Sequence, residues 1–271
     1  MSLCFAEPPQ IDVPLEEELQ AAGRAGFTCL DLWLPRLEAY LAAYSVEWLD
    51  TLLREHGLHV AVLSGMAPLN PFARAEHVMA QARFLELCVQ FDALGGGTIV
   101  VSPETQFDSP IGEGAFVAGM ARALCDLSAI AAPFEVRIAF EFQSETQSIE
   151  SWLTTGRQIV RQAARQNVGL ALNTAYLYLS GDRDLEAIPD AVTIGIVQLY
   201  DVAERPDAPQ MGVPRLLLPG QGAAPLRAMY ERLERKGFRG PYSIGRTSES
   251  LPARELCHKA WQAAQALFAS G

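Results

Sequence analysis

Lysine is nearly missing from this 271-residue chain: Lys236 and Lys259 are the only two, both in helix-like segments near the C-terminus. A Schiff-base mechanism needs a desolvated lysine facing the site, so that chemistry is disfavoured. Histidine is scarce too. His56 falls at a helix end, His59 at a strand start, His77 inside a helix and His258 in the closing helix, which leaves no His-based triad or metal cluster. The five cysteines (Cys4, Cys29, Cys88, Cys125, Cys257) are an odd number without a CxxC pair, which argues against a disulfide framework and a thiolate zinc site. Dense Lys/Arg stripes are absent and the formal net charge is -11, so nucleic acid is not an expected partner. No apolar run approaches the roughly 18 residues needed to span a bilayer. The stretch Met1–Glu7 has neither a basic n-region nor a long apolar one, so a cytoplasmic protein without a membrane partner is expected. Low-complexity tracts are lacking as well, and 49% apolar content can fill one large core, so one domain over 1–271 is expected.

What the chain does contain is alternation. Strand-like runs Leu3–Ala6, Cys29–Trp33, His59–Gly65, Thr98–Ser102, Arg137–Phe142, Val168–Thr174, Ile194–Asp201 and Tyr242–Arg246 are separated by helical segments. The helices read as Leu15–Ala25 closed by Gly26, Leu37–Tyr44, Val46–His56 with Ser45 as N-cap, and a long amphipathic Ala73–Leu94. Then come Gly112–Ile130, Ser148–Gln166, a short Arg183–Ile188, Pro225–Lys236 and Pro252–Ala269. Gly95-Gly96-Gly97 precedes a strand, so it reads as a turn and not as a phosphate cradle. Trp48, Phe84 and Leu87 recur at helical spacing and read as core. Glu204–Gly222, rich in Pro and Gly and carrying Arg205, Gln210, Arg215 and Gln221, reads as a lid loop.

Eight βα units predict an α/β fold, a (β/α)8 TIM barrel, with an open doubly wound sheet as the alternative. In a barrel the reactive groups stand at strand C-terminal ends. That rule selects Asp31, Trp33, Glu141, Asn173, Gln198, Asp201 and Arg246. Glu141 closes an apolar run, where a carboxylate is out of place unless something requires it.

Several stretches in order carry a resemblance: Gly26–Trp33, Leu58–Gly65, Ala139–Phe142, Val168–Thr174, Val197–Asp201, Leu218–Gly222 and Gly237–Ile244. The chain resembles the xylose-isomerase-like TIM barrels. That group includes sugar phosphate isomerases/epimerases, inosose and dehydroshikimate dehydratases and endonuclease IV. The resemblance implies a divalent metal held by Glu, Asp, His and Glu at the ends of strands five to eight. The matching positions are Glu141, Asn173, Gln198 and Gly245, so only Glu141 keeps the family residue. The family's strand-six His falls on Tyr176, and its loop Glu on Gln221.

Three carboxylates and an imidazole thus shrink to one carboxylate, and hard cations depend on that charge. Metal affinity is expected to fall sharply, with no cofactor as the main expectation. Residual Mn2+, Mg2+ or Zn2+ at Glu141, helped by amide oxygens or by Asp31 or Asp201, stays open. Without the ion, Glu141 needs another partner or must take up a proton. Arg246 is the first candidate, provided the last strand bends, since alternation would otherwise point it out of the lumen. Arg215 is the second. Two functions follow. One is an enzyme moving a proton beside the carbonyl of a small polyol, keto-sugar or cyclitol. There Glu141 carries the proton, Tyr176, Asn173 and Gln198 are neutral donors, and Trp33, Asp31, Arg215, Arg246 and Asp201 bind substrate. The other is a non-catalytic barrel that binds a small molecule or serves as a partner subunit. A metal-free lyase or cyclase and homo-oligomerisation stay open.

Overall fold

The computed structural model describes residues 2–7, 13–107, 109–141, 149–180, 194–203 and 214–269, the side chains of 149–151 excepted. Eight parallel strands pair in sequence order and close on themselves, β8 returning to β1. The strands are β1 (Ser2–Ala6), β2 (Cys29–Trp33), β3 (His59–Ser64), β4 (Thr98–Val101), β5 (Arg137–Phe140), β6 (Val168–Asn173), β7 (Ile194–Gln198) and β8 (Pro241–Ile244). The helices are α1 (Leu15–Ala25), α2 (Leu34–Leu41), α3 (Val46–Glu55), α4 (Arg74–Ala93), α5 (Glu113–Ala131), α6 (Ile149–Ala163), α7 (Thr174–Leu179), α8 (Leu226–Arg235) and α9 (Ala253–Phe268). The barrel, not the open sheet, is the architecture.

Side chains alternate across each strand, so the barrel has two packed layers. Small residues fill the lumen, where Cys4, Cys29, Val62, Val100, Ala139 and Ile196 touch one another. Bulkier neighbours such as Phe5, Leu30, Leu63, Ile99 and Phe140 face the helices. The cysteines are free, and all but Cys125 are buried.

Local signals explain some helix ends. Gly26 closes α1 at φ 112°, a left-handed conformation that glycine adopts without steric cost. Ser45 caps α3 by accepting the Trp48 N–H at 3.3 Å. Gly95, Gly96 and Gly97 all have positive φ and make the expected turn.

Elsewhere the structure corrects the sequence reading. Helix α2 begins directly after β2, because Pro35 fits a first helical turn, where its missing N–H costs nothing. Helix α4 is not amphipathic: it buries Phe84, Leu87, Cys88 and Phe91 yet exposes Val78, Met79, Leu85 and Val89. Trp48 is 55% exposed and is not core. The segment Glu113–Phe134 is long and apolar enough by composition to cross a membrane, but it packs Phe116, Val117, Met120, Leu124 and Leu127 into the barrel wall. Helix α7, unforeseen, follows β6 without a loop. The expected helix Arg183–Ile188 lies outside the described residues, as do Phe142, Arg205 and Gln210.

Candidate active site

Strands β5, β7 and β8 stop one to three residues short of the polar ends that the sequence assigns to them. Those ends therefore form the barrel mouth. Asn173, Gln198 and Ser243 stand side by side there, in register across β6, β7 and β8. Asn173 caps α7: its Oδ1 accepts the N–H groups of Ala175 (3.0 Å) and Tyr176 (3.3 Å). That fixes its amide, so Nδ2 donates to Gln198 Oε1 at 3.4 Å, and Gln198 turns its Nε2 away from Asn173. Gln198 Nε2 is buried without a partner among the described residues.

Beyond β7, the hydroxyl of Thr174 locks the chain. It donates to the Tyr200 carbonyl at 2.7 Å and accepts the Tyr200 N–H at 2.9 Å. This seats Tyr200, which is buried with its hydroxyl unpartnered among the described residues. Burial pushes its pKa up, against the pull of the Arg246 guanidinium. Tyr176, half-buried in the first turn of α7, packs edge-on to Trp152 with ring centroids 5.0 Å apart. Its hydroxyl is likewise raised well above its usual range by burial, then by the charge of Glu141.

The bend required for Arg246 is present. Gly245 has φ 130°, and a Cβ there would lie 2.7 Å from the Phe5 ring and 2.9 Å from the Ala6 carbonyl. Only glycine fits, and the turn brings Arg246 over β1, where its Nε donates to the Glu7 carbonyl at 3.3 Å. Burial works against the Arg246 charge, yet Tyr200, Asp31, Glu141 and Glu7 together push its pKa up. Its Nη2 is buried without a partner among the described residues. Asp31, fully buried, accepts the Ser64 hydroxyl on Oδ1 at 2.5 Å, while Oδ2 is unpartnered among the described residues. Burial raises its pKa, offset by Arg246 and Ser64. The buried Ser243 hydroxyl is near enough to favour the charged forms of Asp31 and Tyr200, but it makes no well-formed hydrogen bond among the described residues. Glu141 follows β5 and is half-buried, its N–H held by the Val101 carbonyl at 2.9 Å. Trp33 closes β2, and its indole covers Gly65, where a Cβ would strike the ring.

Two expected substrate groups are placed otherwise. Asp201 is buried, and its two oxygens accept four backbone N–H groups: Val202 and Ala224 on Oδ1, Gly220 and Gly222 on Oδ2, all at 2.9–3.0 Å. A carboxylate has about four acceptor sites, so Asp201 is fully occupied as a loop clamp. Arg215 is 71% exposed and pairs with Glu249 at 3.1 Å on the surface. The described part of the lid loop is pinned by these contacts and by Gln221, whose Oε1 accepts the Leu218 N–H at 3.0 Å.

One buried carboxylate near these residues escaped the sequence reading. Glu7, directly after β1, is buried and accepts the Trp33 N–H at 2.8 Å. Arg36 lies 3.7 Å from it and 2.9 Å from Glu18, so two buried carboxylates share one guanidinium. Burial, then repulsion from Glu18, holds Glu7 well above the usual carboxylate range. Burial also raises Glu18 to about 7. The signal used for Glu141, an acid closing an apolar run, also marks Leu3-Cys4-Phe5-Ala6-Glu7.

A sequence profile of the xylose isomerase-like TIM barrel family matches residues 19–267. The chain belongs to that family. An inosose isomerase of Bacillus velezensis is 25% identical over 248 residues, covering 90% of this chain and 88% of the relative. Among solved structures, the IOLI protein with a bound zinc atom superposes with a TM-score of 0.85 at 24% identity, over 98% of each chain. The 3-keto-D-glucoside 4-epimerase YcjR of E. coli gives 0.74 at 17% identity, also over 98% of each.

Against the metal site that the xylose isomerase-like family implies, the residues present do not fit. The Asn173 carbonyl is spent on two backbone amides, and the Gln198 carbonyl, which accepts the Asn173 N–H, keeps one neutral lone pair, so this row offers no charge to a hard cation. Gly245 has no ligand and no room for one, and a guanidinium stands next to it. Among the described residues no group of three or more His, Cys, Asp or Glu side chains converges.

Proposed function

We propose that this chain moves a proton beside the carbonyl of a small cyclitol or keto-sugar, an isomerase or epimerase reaction in which Arg246 supplies the positive charge. The observation that carries this reading is Arg246 among Tyr200, Asp31 and Glu141, with Nη2 unpartnered among the described residues. Asp31 Oδ2 and Tyr200 Oη, both close enough to interact with Arg246, are unpartnered among the described residues, as are Ser243 Oγ beside Asp31 and Tyr200 and Gln198 Nε2 in register with Ser243. Buried polar atoms cost free energy unless something pairs with them, and a polyhydroxylated carbonyl compound can pair with donors and acceptors alike. The relatives named inosose isomerase and the epimerase fold neighbour support the substrate class.

Glu141 takes the proton from the carbon next to the carbonyl, and the C–H electron pair moves into a new C=C bond as the carbonyl π pair moves onto oxygen. The enolate charge falls to Arg246, with Tyr200 O–H and Gln198 N–H as neutral donors. Asp31, held by Ser64, keeps the guanidinium oriented. In an isomerisation, a hydroxyl proton crosses between the two oxygens of the enediol and Glu141 returns its proton to the former carbonyl carbon. In an epimerisation, a proton returns to the original carbon from the opposite face, where Tyr200 or Tyr176 is the available acid.

The replaced ligand positions favour a second reading, a barrel that binds such a compound without turnover. Solvent deuterium exchange separates the two without knowledge of the product. A panel of inososes and ketohexoses in D2O is followed by proton NMR for loss of the C–H signal beside the carbonyl. The proposal expects exchange in at least one compound, and a loss of about 10²–10⁴-fold in Glu141→Gln with the melting temperature retained. No exchange across the panel, or full exchange in the variant, overturns the assignment of Glu141.

A further inference from the structure

We propose that the opposite, N-terminal face of the barrel carries a second binding site, for a phosphate-bearing small molecule. It lies in an open cavity of about 890 Å³ between α6 and the starts of β5 to β8. Four guanidiniums line it: Arg137 from β5, Arg161 from α6, Arg165 just after α6, and Arg239 from the turn before β8. The chain as a whole has a net charge of -11 and 21 basic residues, so this grouping runs against its composition. No acidic side chain stands among the described lining residues. Arg239 pairs with Glu234 at 3.1 Å, whereas Arg137, Arg161 and Arg165 form no ion pair among the described residues. One turn back along α6, Arg157 and Arg161 line a smaller adjoining hollow and extend the basic surface.

The carbonyls at the end of α6 attract basic residues into its last turn, which accounts for Arg161 and Arg165. They do not account for Arg137 and Arg239, which arrive from other elements. Like charges gathered on one wall repel unless an anion sits between them, and guanidiniums bind phosphate oxygens bidentately. The floor is apolar: Val160, Val168, Ile194 and Phe238 present nearly buried side chains. Arginines around an apolar floor suit a phosphate ester whose other end is a ring or hydrocarbon, as in a nucleoside phosphate. The mouth described above contributes nothing to this cavity, so the two sites stand or fall separately.

Isothermal titration of the full chain with ADP, inorganic pyrophosphate and adenosine tests the proposal, alongside the triple variant Arg137→Gln/Arg161→Gln/Arg165→Gln. These side chains are exposed, and the melting temperature of the variant checks that it folds. The expected result is binding of ADP and pyrophosphate but not adenosine, weakened by rising salt and by at least about tenfold in the variant. Tighter binding of ADP than of pyrophosphate is expected from the apolar floor, and equal affinity would remove the floor from the site. Binding of neither anion, or unchanged affinity in the variant, overturns the proposal. Unchanged deuterium exchange at the mouth in the variant is also expected, and its loss would contradict the separation of the two sites.

Discussion

Asp31, inside β2, and Asp201, three residues past β7, are both buried carboxylates that the strand-end rule selects, and their surroundings differ completely. Asp201 meets four backbone N–H groups within 3.0 Å, and every acceptor position is used on its own chain. Asp31 has one hydroxyl on one oxygen, an unpartnered second oxygen among the described residues, and a guanidinium nearby. Sequence position treats the two alike, whereas hydrogen-bond occupancy separates them. The saturated carboxylate belongs to the scaffold, and the half-occupied one keeps an acceptor oxygen free for a ligand under the proposed function. The Glu7–Glu18 pair is an intermediate case, buried and sharing Arg36, at the rim beside β1.

The largest expected effect on this comparison comes from Asp201→Ala. Four backbone donors lose their acceptor, which costs about 3 kcal/mol or more of stability, read as a lower denaturation midpoint, while the folded fraction keeps its deuterium exchange. A variant of full stability, or one that folds normally but loses exchange, would erase the distinction drawn here. A smaller effect is expected at Glu18, whose carboxyl titrates near 7 in the fold against 4.5 when free. Across that interval the folded chain holds more protons than the unfolded one. Its contribution to stability is therefore complete below the free value and is lost as pH rises through about 7. Glu18→Gln should flatten the fall in melting temperature between about pH 5 and pH 8, and an unchanged slope would count against the raised titration of Glu18. The smallest effect is expected at Arg215→Ala. An exposed ion pair contributes little, so stability should stay within about 0.5 kcal/mol and exchange should not change. A large loss of exchange would return Arg215 to the site.

Much of this was legible in the sequence. Eight strand-like runs between helices specify the barrel, and the strand-end rule selects Asp31, Glu141, Asn173, Gln198 and Arg246 at its mouth. The direction of Arg246 was conditional, because alternation gives one answer for a straight strand and the opposite for one broken at Gly245. Contact of that glycine with Phe5 and Ala6, far away in sequence, decides it. Tyr200 and Ser243 were missed for a related reason: a hydroxyl inside or just after a strand gives no periodic signal, and their burial against Arg246 is a tertiary fact. The clamp role of Asp201 was not legible, because acceptance of four amides depends on how the segment up to Ala224 folds back beside β7. The apolar residues on both faces of α4 defeat a helix pattern that assumes one buried side.

Under the proposed function, a guanidinium does in this barrel the electrostatic work that the family resemblance assigns to an ion. Deuterium exchange by chelator-treated protein, with metal content measured by mass spectrometry, tests it most directly when run beside Arg246→Gln. Exchange should survive removal of metal and drop by about 10²–10³-fold in Arg246→Gln, with the fold intact. Exchange that disappears on chelation, returns with Mn2+ or Zn2+, and is indifferent to Arg246→Gln would contradict it.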